Sequence, residues 1–92
     1  MYYLVRGDRS GVFAGDIDKQ NGKEILFSSC IRLWYWSGAA SLSQLANAGV
    51  KNPDSCKFSV KTKNHMITDA IEIIEMTDEA VKSVTSVKPW VV

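Results

Sequence analysis

The chain reads as an α+β domain: a small SH3-like antiparallel β half-barrel with one inserted helix and a short C-terminal helix. Three observations lead there. Short runs of branched and aromatic residues alternate with turn signals over residues 1–36. Asn21-Gly22, the strongest short hairpin signal, falls between two such runs. Small and apolar residues then recur at helical spacing after Ser41 and again after Thr77. With 92 residues the chain has room for one domain, 1–92, and one modest core.

Tyr2–Arg6 is a strand by composition, and Gly7-Asp8-Arg9-Ser10-Gly11 is a turn. Val12–Asp18 returns, with Val12, Ala14 and Asp16 on one face and Phe13, Gly15 and Ile17 on the other. A glycine inside a strand marks a bulge or a bend at Gly15. Glu24–Ser28 follows the Asn21-Gly22 turn. A further strand then sets Ile31, Leu33 and Tyr35 against Arg32, Trp34 and Trp36, which completes a four-stranded meander.

Ser37 or Ser41 caps the inserted helix; Ser41-Leu42-Ser43-Gln44 fits a capping box. Ala39, Leu42, Leu45 and Ala46 give its apolar stripe, and Gly49 its stop. Asn52-Pro53-Asp54 is a loop. Lys57–Val60 is a short edge strand, guarded by Lys57, Lys61 and Lys63. Met66–Met76 is apolar on both alternating faces, which predicts one central strand paired with an early one. Thr77 caps the last helix, with Asp78 and Glu79 in its first turn and Ala80, Val81, Val84 and Val87 facing inward. Trp90, after Pro89, is expected to plug the core.

A net charge of +1 leaves no global footprint for a nucleic acid. Arg6 and Asp8 follow Met1-Tyr2-Tyr3-Leu4 at once, so no leader peptide is expected, and no apolar run reaches membrane length. The cytoplasm is the expected compartment, and there Cys30 and Cys56 remain thiols, although a bridge between them is open in principle. His65 with these cysteines lacks metal-ligand spacing. No phosphate loop, nucleophile elbow or carboxylate pair is present, so no catalytic residue, cofactor or enzymatic activity is expected.

Two segments invite a binding role. Trp34 and Trp36 sit on one predicted face with Arg32, and Ser37, Gly38 and Ser41 follow where a helix begins. Indole rings stack on planar bases, and free backbone N–H groups with a guanidinium hold phosphates. The same residues also suit a packed core. Arg6, Arg9 and Ser10 flank a turn able to wrap an anion in a nest of N–H groups, or to stand as a solvated hairpin.

Val5–Gly15 and Arg32–Ala46, with Pro53, Cys56-Lys57-Phe58 and Pro89-Trp90, resemble a family of short phage and prophage proteins of unknown function. Leu33 stands where that family's motif usually carries Ile. The resemblance implies a viral accessory protein acting inside an infected bacterium, and it supplies no catalytic residues. The expectation is a homo-oligomeric, non-catalytic sponge for a nucleotide-derived immune signal. The alternatives are an inhibitor docked on a host defence complex and a small nucleic-acid-binding barrel.

Overall fold

Leu4 and Val5 are adjacent in the chain, and both are buried, in two different clusters. Alternating strand residues point to opposite faces, so a strand with both faces buried needs cover on each side. The computed structural model describes residues 1–92 and supplies both covers. Its strands are β1 (Tyr2–Gly7), β2 (Val12–Asn21), β3 (Glu24–Tyr35), β4 (Lys57–Phe58), β5 (Thr62–Ile67) and β6 (Ala70–Glu75). Its helices are α1 (Leu42–Ala48) and α2 (Asp78–Thr85). The antiparallel sheet runs β4-β3-β2-β1-β6, and β5 joins the same edge of β3 as β4, further back along the strand.

On one face, Leu4, Ala14 and Leu33 pack against Leu45 and Ala46 of α1 and Ala80 and Val84 of α2. On the other face the buried residues all come from strands, among them Val5, Phe13, Ile25, Phe27 and Ile67. No helix covers that side; the sheet curls over itself. The curl is concentrated where the β2–β3 register slips, at Asp16/Ile17 and Ile17/Lys19. Gly15 lies beside the slips, opposite Cys30. A side chain there would strike the Ser29 carbonyl oxygen and the Cys30 side chain. The sheet nevertheless stays open, because β5 pairs only with β3 and β6 only with β1.

The helix caps follow the sequence. Ser41 is the cap that forms: its Oγ accepts from the Gln44 N–H at 3.2 Å. Gln44 Oε1 reaches back to the Ala40 N–H at 2.9 Å, one residue earlier than in the standard reciprocal pair. Gly49, at φ 77°, ends α1. Thr77 Oγ1 accepts from the Ala80 N–H at 3.1 Å and donates to the Asn47 carbonyl at 2.6 Å, so one residue starts α2 and ties it to α1.

Four expectations are corrected. Glu24–Ser28 and the strand after it are one strand, β3, so three strands and not four precede α1. The slip brings Phe27 and Cys30 into the same cluster, which removes the need for a turn between them. Met66–Met76 is not one central strand. It breaks at Thr68-Asp69, and its second half is the edge strand β6. Its faces are not both buried either, since Met66 and Ile71 are about half exposed. Trp90 is no plug: it is 51% exposed, and its backbone N–H donates to the Phe58 carbonyl at 2.8 Å.

Phe27→Ala empties a site with 0% exposure beside the Phe13 ring. Urea unfolding is expected to show a loss of about 3–5 kcal/mol. Met66→Ala, on the outer surface of β5, is expected to change stability by less than about 0.5 kcal/mol in the same assay.

Candidate functional site

The residues expected to bind do not converge. Arg6 pairs across β1 with Val12 and Glu72, which places it on the helix-covered face of the sheet. Arg32 pairs with Phe13, on the opposite face. Trp34 and Trp36 also separate. The register slips between Leu33 and Tyr35, and Trp36 turns onto the helix-side cluster while Trp34 stays 59% exposed.

The turn between β1 and β2 does form a nest, and the chain fills it itself. Asp69 Oδ2 accepts from the N–H groups of Arg9 and Ser10 at 2.8 and 2.9 Å. Asp69 Oδ1 accepts from the Ser10 hydroxyl at 2.6 Å. The Asp8 N–H donates to the Asp69 carbonyl at 2.8 Å. These donors hold the Asp69 carboxyl below the usual carboxylate range, the Ser10 hydroxyl first and the Arg9 N–H next. The anion at this turn is therefore internal, and Arg9 and Ser10 are structural donors.

The segment before α1 is partly engaged within the chain too, its Ala40 N–H donating to Gln44 Oε1 at 2.9 Å. Ser37 Oγ accepts from Asn52 Nδ2 at 3.1 Å, and the Gly38 carbonyl accepts from the Lys51 N–H at 3.3 Å. Gly38 has φ 94°, and the space where its side chain would stand holds the backbone nitrogens of Lys51 and Asn52. The close approach that glycine permits is made to the chain's own loop. Ser41 Oγ is committed to the α1 cap.

Arg32 and Trp34 remain. The guanidinium carbon of Arg32 lies 4.8 Å from the centre of the Phe13 ring and 5.5 Å from that of Trp34. Both contacts are within cation–π range. The one ion pair in the chain joins the N-terminus to Asp16, so no carboxylate neutralises Arg32. Its Nε is buried without a hydrogen-bond acceptor. His65 borders the same region, its ring 5.4 Å from Phe13 and its Nδ1 2.8 Å from Thr62 Oγ1. Burial, and then the Arg32 charge, lower the His65 pKa, so the ring is neutral at pH 7. The surface around Arg32 and Trp34 is open: the three cavities of the chain are lined by other residues.

Sequence reasoning missed a neighbouring row. Tyr35 pairs with Lys57 across β3 and β4, and the Lys57 ammonium lies 5.2 Å from the centre of a Trp90 ring. Tyr35 and Trp90 are each about half exposed. The aromatic residues were visible in the sequence, but nothing local announced that Lys57 joins them. The two cysteines are free and lie in separate clusters, Cys30 among the strands and Cys56 on the helix side. Burial pushes the Cys30 thiol upward, against the hydrogen bond from Thr62 and the Arg32 charge. No helix is long and apolar enough to cross a membrane.

Asp69 gives the β1–β2 turn a pH signature. A carboxyl held low in the folded state contributes stability that is present above its unfolded pKa of about 3.9 and is lost as pH falls through the folded value. Asp69→Asn removes the carboxylate. Thermal midpoints are expected to separate the two proteins at neutral pH and to converge as the solution is acidified below about pH 3.9. A gap that stays constant across the acid range would show that the carboxylate charge is not what holds the turn.

The comparisons with known proteins are sparse. No curated protein matches the chain, and no solved structure does. A family model described as a domain of unknown function, DUF6948, matches residues 1–84, which take in every strand and nearly all of α2. The chain therefore belongs to the DUF6948 family.

Proposed function

We propose that this protein works by capture: a phage accessory protein, acting inside an infected bacterium, that sequesters a nucleotide-derived immune signal. The observation that carries the proposal is the unneutralised Arg32 guanidinium between the Phe13 and Trp34 rings. A cation with no internal carboxylate is available to a phosphate, and the ring contacts fix its position. Trp34 offers an indole to a base beside it. The recognition pair is then Arg32 and Trp34. Arg9, Ser10, Ser37 and Ser41 act behind it, as the structural donors and acceptors that hold the turn and the α1 entry. Because the surface is open on one chain, retention of a small ligand needs a second copy to close over it. A strongly curled, SH3-like sheet is a fitting frame, since its curl leaves this end of β3 projecting.

A second reading has its own support. Trp34, Tyr35 and Trp90 are exposed, with the half-buried Arg32 beside Trp34 and the exposed Lys57 beside Trp90. Trp, Tyr and Arg dominate the energetic centres of protein interfaces, and a flat surface of them suits docking on a host protein.

Calorimetric titration with cyclic nucleotides and ADP-ribose isomers tests both. Capture predicts saturable binding to one of them. Trp34→Ala is expected to weaken it about tenfold or more, on the basis of about 1–3 kcal/mol per stacked base. Arg32→Ala is expected to weaken it at least as much, while Trp90→Ala leaves it unchanged. Silence across the panel at millimolar ligand removes the capture proposal. Loss of a stoichiometric host partner on Tyr35→Ala or Trp90→Ala would then favour docking.

A further inference from the structure

Two strands of the sheet each have one unpaired side, and their exposed residues are complementary. β6 pairs only with β1; the Ala70 N–H at its start donates to the Lys23 carbonyl at 3.1 Å, and beyond Ala70 its outer row of backbone N–H and C=O groups has no partner strand. Ile71, Glu72 and Glu75 of β6 are exposed. β5 pairs only with β3, and its outer row is also free. Lys63 and Met66 of β5 are exposed, as are Val60 and Lys61 just before it. None of these charges is used within the chain, whose one ion pair lies at the N-terminus. Glu72 makes no ion pair even with Arg6, its cross-strand neighbour.

We infer that copies of this chain assemble head to tail, the acidic β6 edge of one pairing with the basic β5 edge of the next. Charge selects this arrangement over the two symmetric ones. A two-fold pairing of β6 brings Glu72 and Glu75 of both copies along one seam, and like charges facing one another across a strand pair are destabilising. Pairing β5 with β5 brings Lys63 and Lys61 of both copies together in the same way. The mixed arrangement instead sets Glu72 and Glu75 near Lys61 and Lys63, and Ile71 near Met66 or Val60. The overall charge of +1 adds little repulsion between copies. Contacts of this heterologous kind close into a ring or run on as a filament. Edge strands with exposed apolar residues are normally shielded, and a second copy is a shield. The assembly stands on these edges whatever Arg32 and Trp34 bind.

Light scattering coupled to size exclusion, at several protein concentrations, reads the assembly. The wild-type chain is expected to exceed its monomer mass of 10.2 kDa and to grow with concentration. Glu72→Lys/Glu75→Lys and Lys61→Glu/Lys63→Glu are each expected to elute as monomers. Their one-to-one mixture is expected to assemble again, because one variant then carries only basic edges and the other only acidic ones. Circular dichroism checks that each variant is folded; Glu72→Gln/Glu75→Gln replaces any reversal that is not, and is expected to shift the equilibrium toward monomer. A wild type that stays monomeric at all concentrations overturns the inference. So does an oligomer indifferent to the reversals, or a mixture in which the two variants remain apart.

Discussion

Burial on both faces of β1, β2 and the start of β3 is the constraint from which the rest follows. Leu4 and Val5, or Phe13 and Ala14, cannot both leave water unless each side of the sheet has its own cover. A chain of 92 residues lacks the length to lay helices on both sides. It spends α1 and α2 on one side and bends the β2–β3 hairpin over the other. The bend demands the register slips near Asp16 and Ile17, and the slips bring Cys30 close enough to exclude a side chain at residue 15. Gly15 is thus a consequence of having two cores on one small sheet.

The same shortage of chain explains where the polar groups go. Backbone donors that look free from nearby residues are engaged by distant ones. The Arg9 and Ser10 N–H groups meet Asp69, and those of Lys51 and Asn52 meet the Gly38 and Ser37 carbonyls. The nest chemistry expected of the β1–β2 turn was legible; the anion that fills it was not, because Asp69 lies 60 residues from Arg9 along the chain and reaches the turn only through the pairing of β6 with β1. Local signals fared better. Ser41, Gly49 and Thr77 act through bonds or dihedral angles spanning a few residues, and each stands where the sequence placed it; the hairpin signalled by Asn21-Gly22 forms as well, with its turn one residue later at Gly22-Lys23 and Asn21 paired to Glu24. The division of Met66–Met76 was beyond such signals. Pairing with β3 on one side and β1 on the other is a tertiary fact, and it leaves Met66 and Ile71 exposed despite their apolar character.

The exposed aromatic residues have a topological origin as well. The last residue of β3 paired with β2 is Arg32, opposite Phe13. Beyond it the strand is flanked only by the two residues of β4, and its register slips there. Side chains on this projecting end lack the neighbours that would bury them. Alternation therefore fails for Trp34, Tyr35 and Trp36: the first two face solvent, and the third turns back to the helix side. The predicted common face of two indoles assumed a regular pleat, and a slip of one position is enough to move a side chain across the sheet.

An unneutralised arginine is an unusual thing for a small domain to keep beside its core. Packing alone would be served as well by Leu or Met over Phe13, without a buried Nε that lacks an acceptor. Carboxylates were available to the chain. Asp69 is given to backbone donors, while Glu72 and Glu75 face solvent on the opposite edge of the sheet. The acids thus lie away from Arg32, and aromatic rings stand where a counter-charge would. That distribution costs stability in the isolated chain and leaves the guanidinium's attraction for an anion unspent, which is the arrangement a capture site requires.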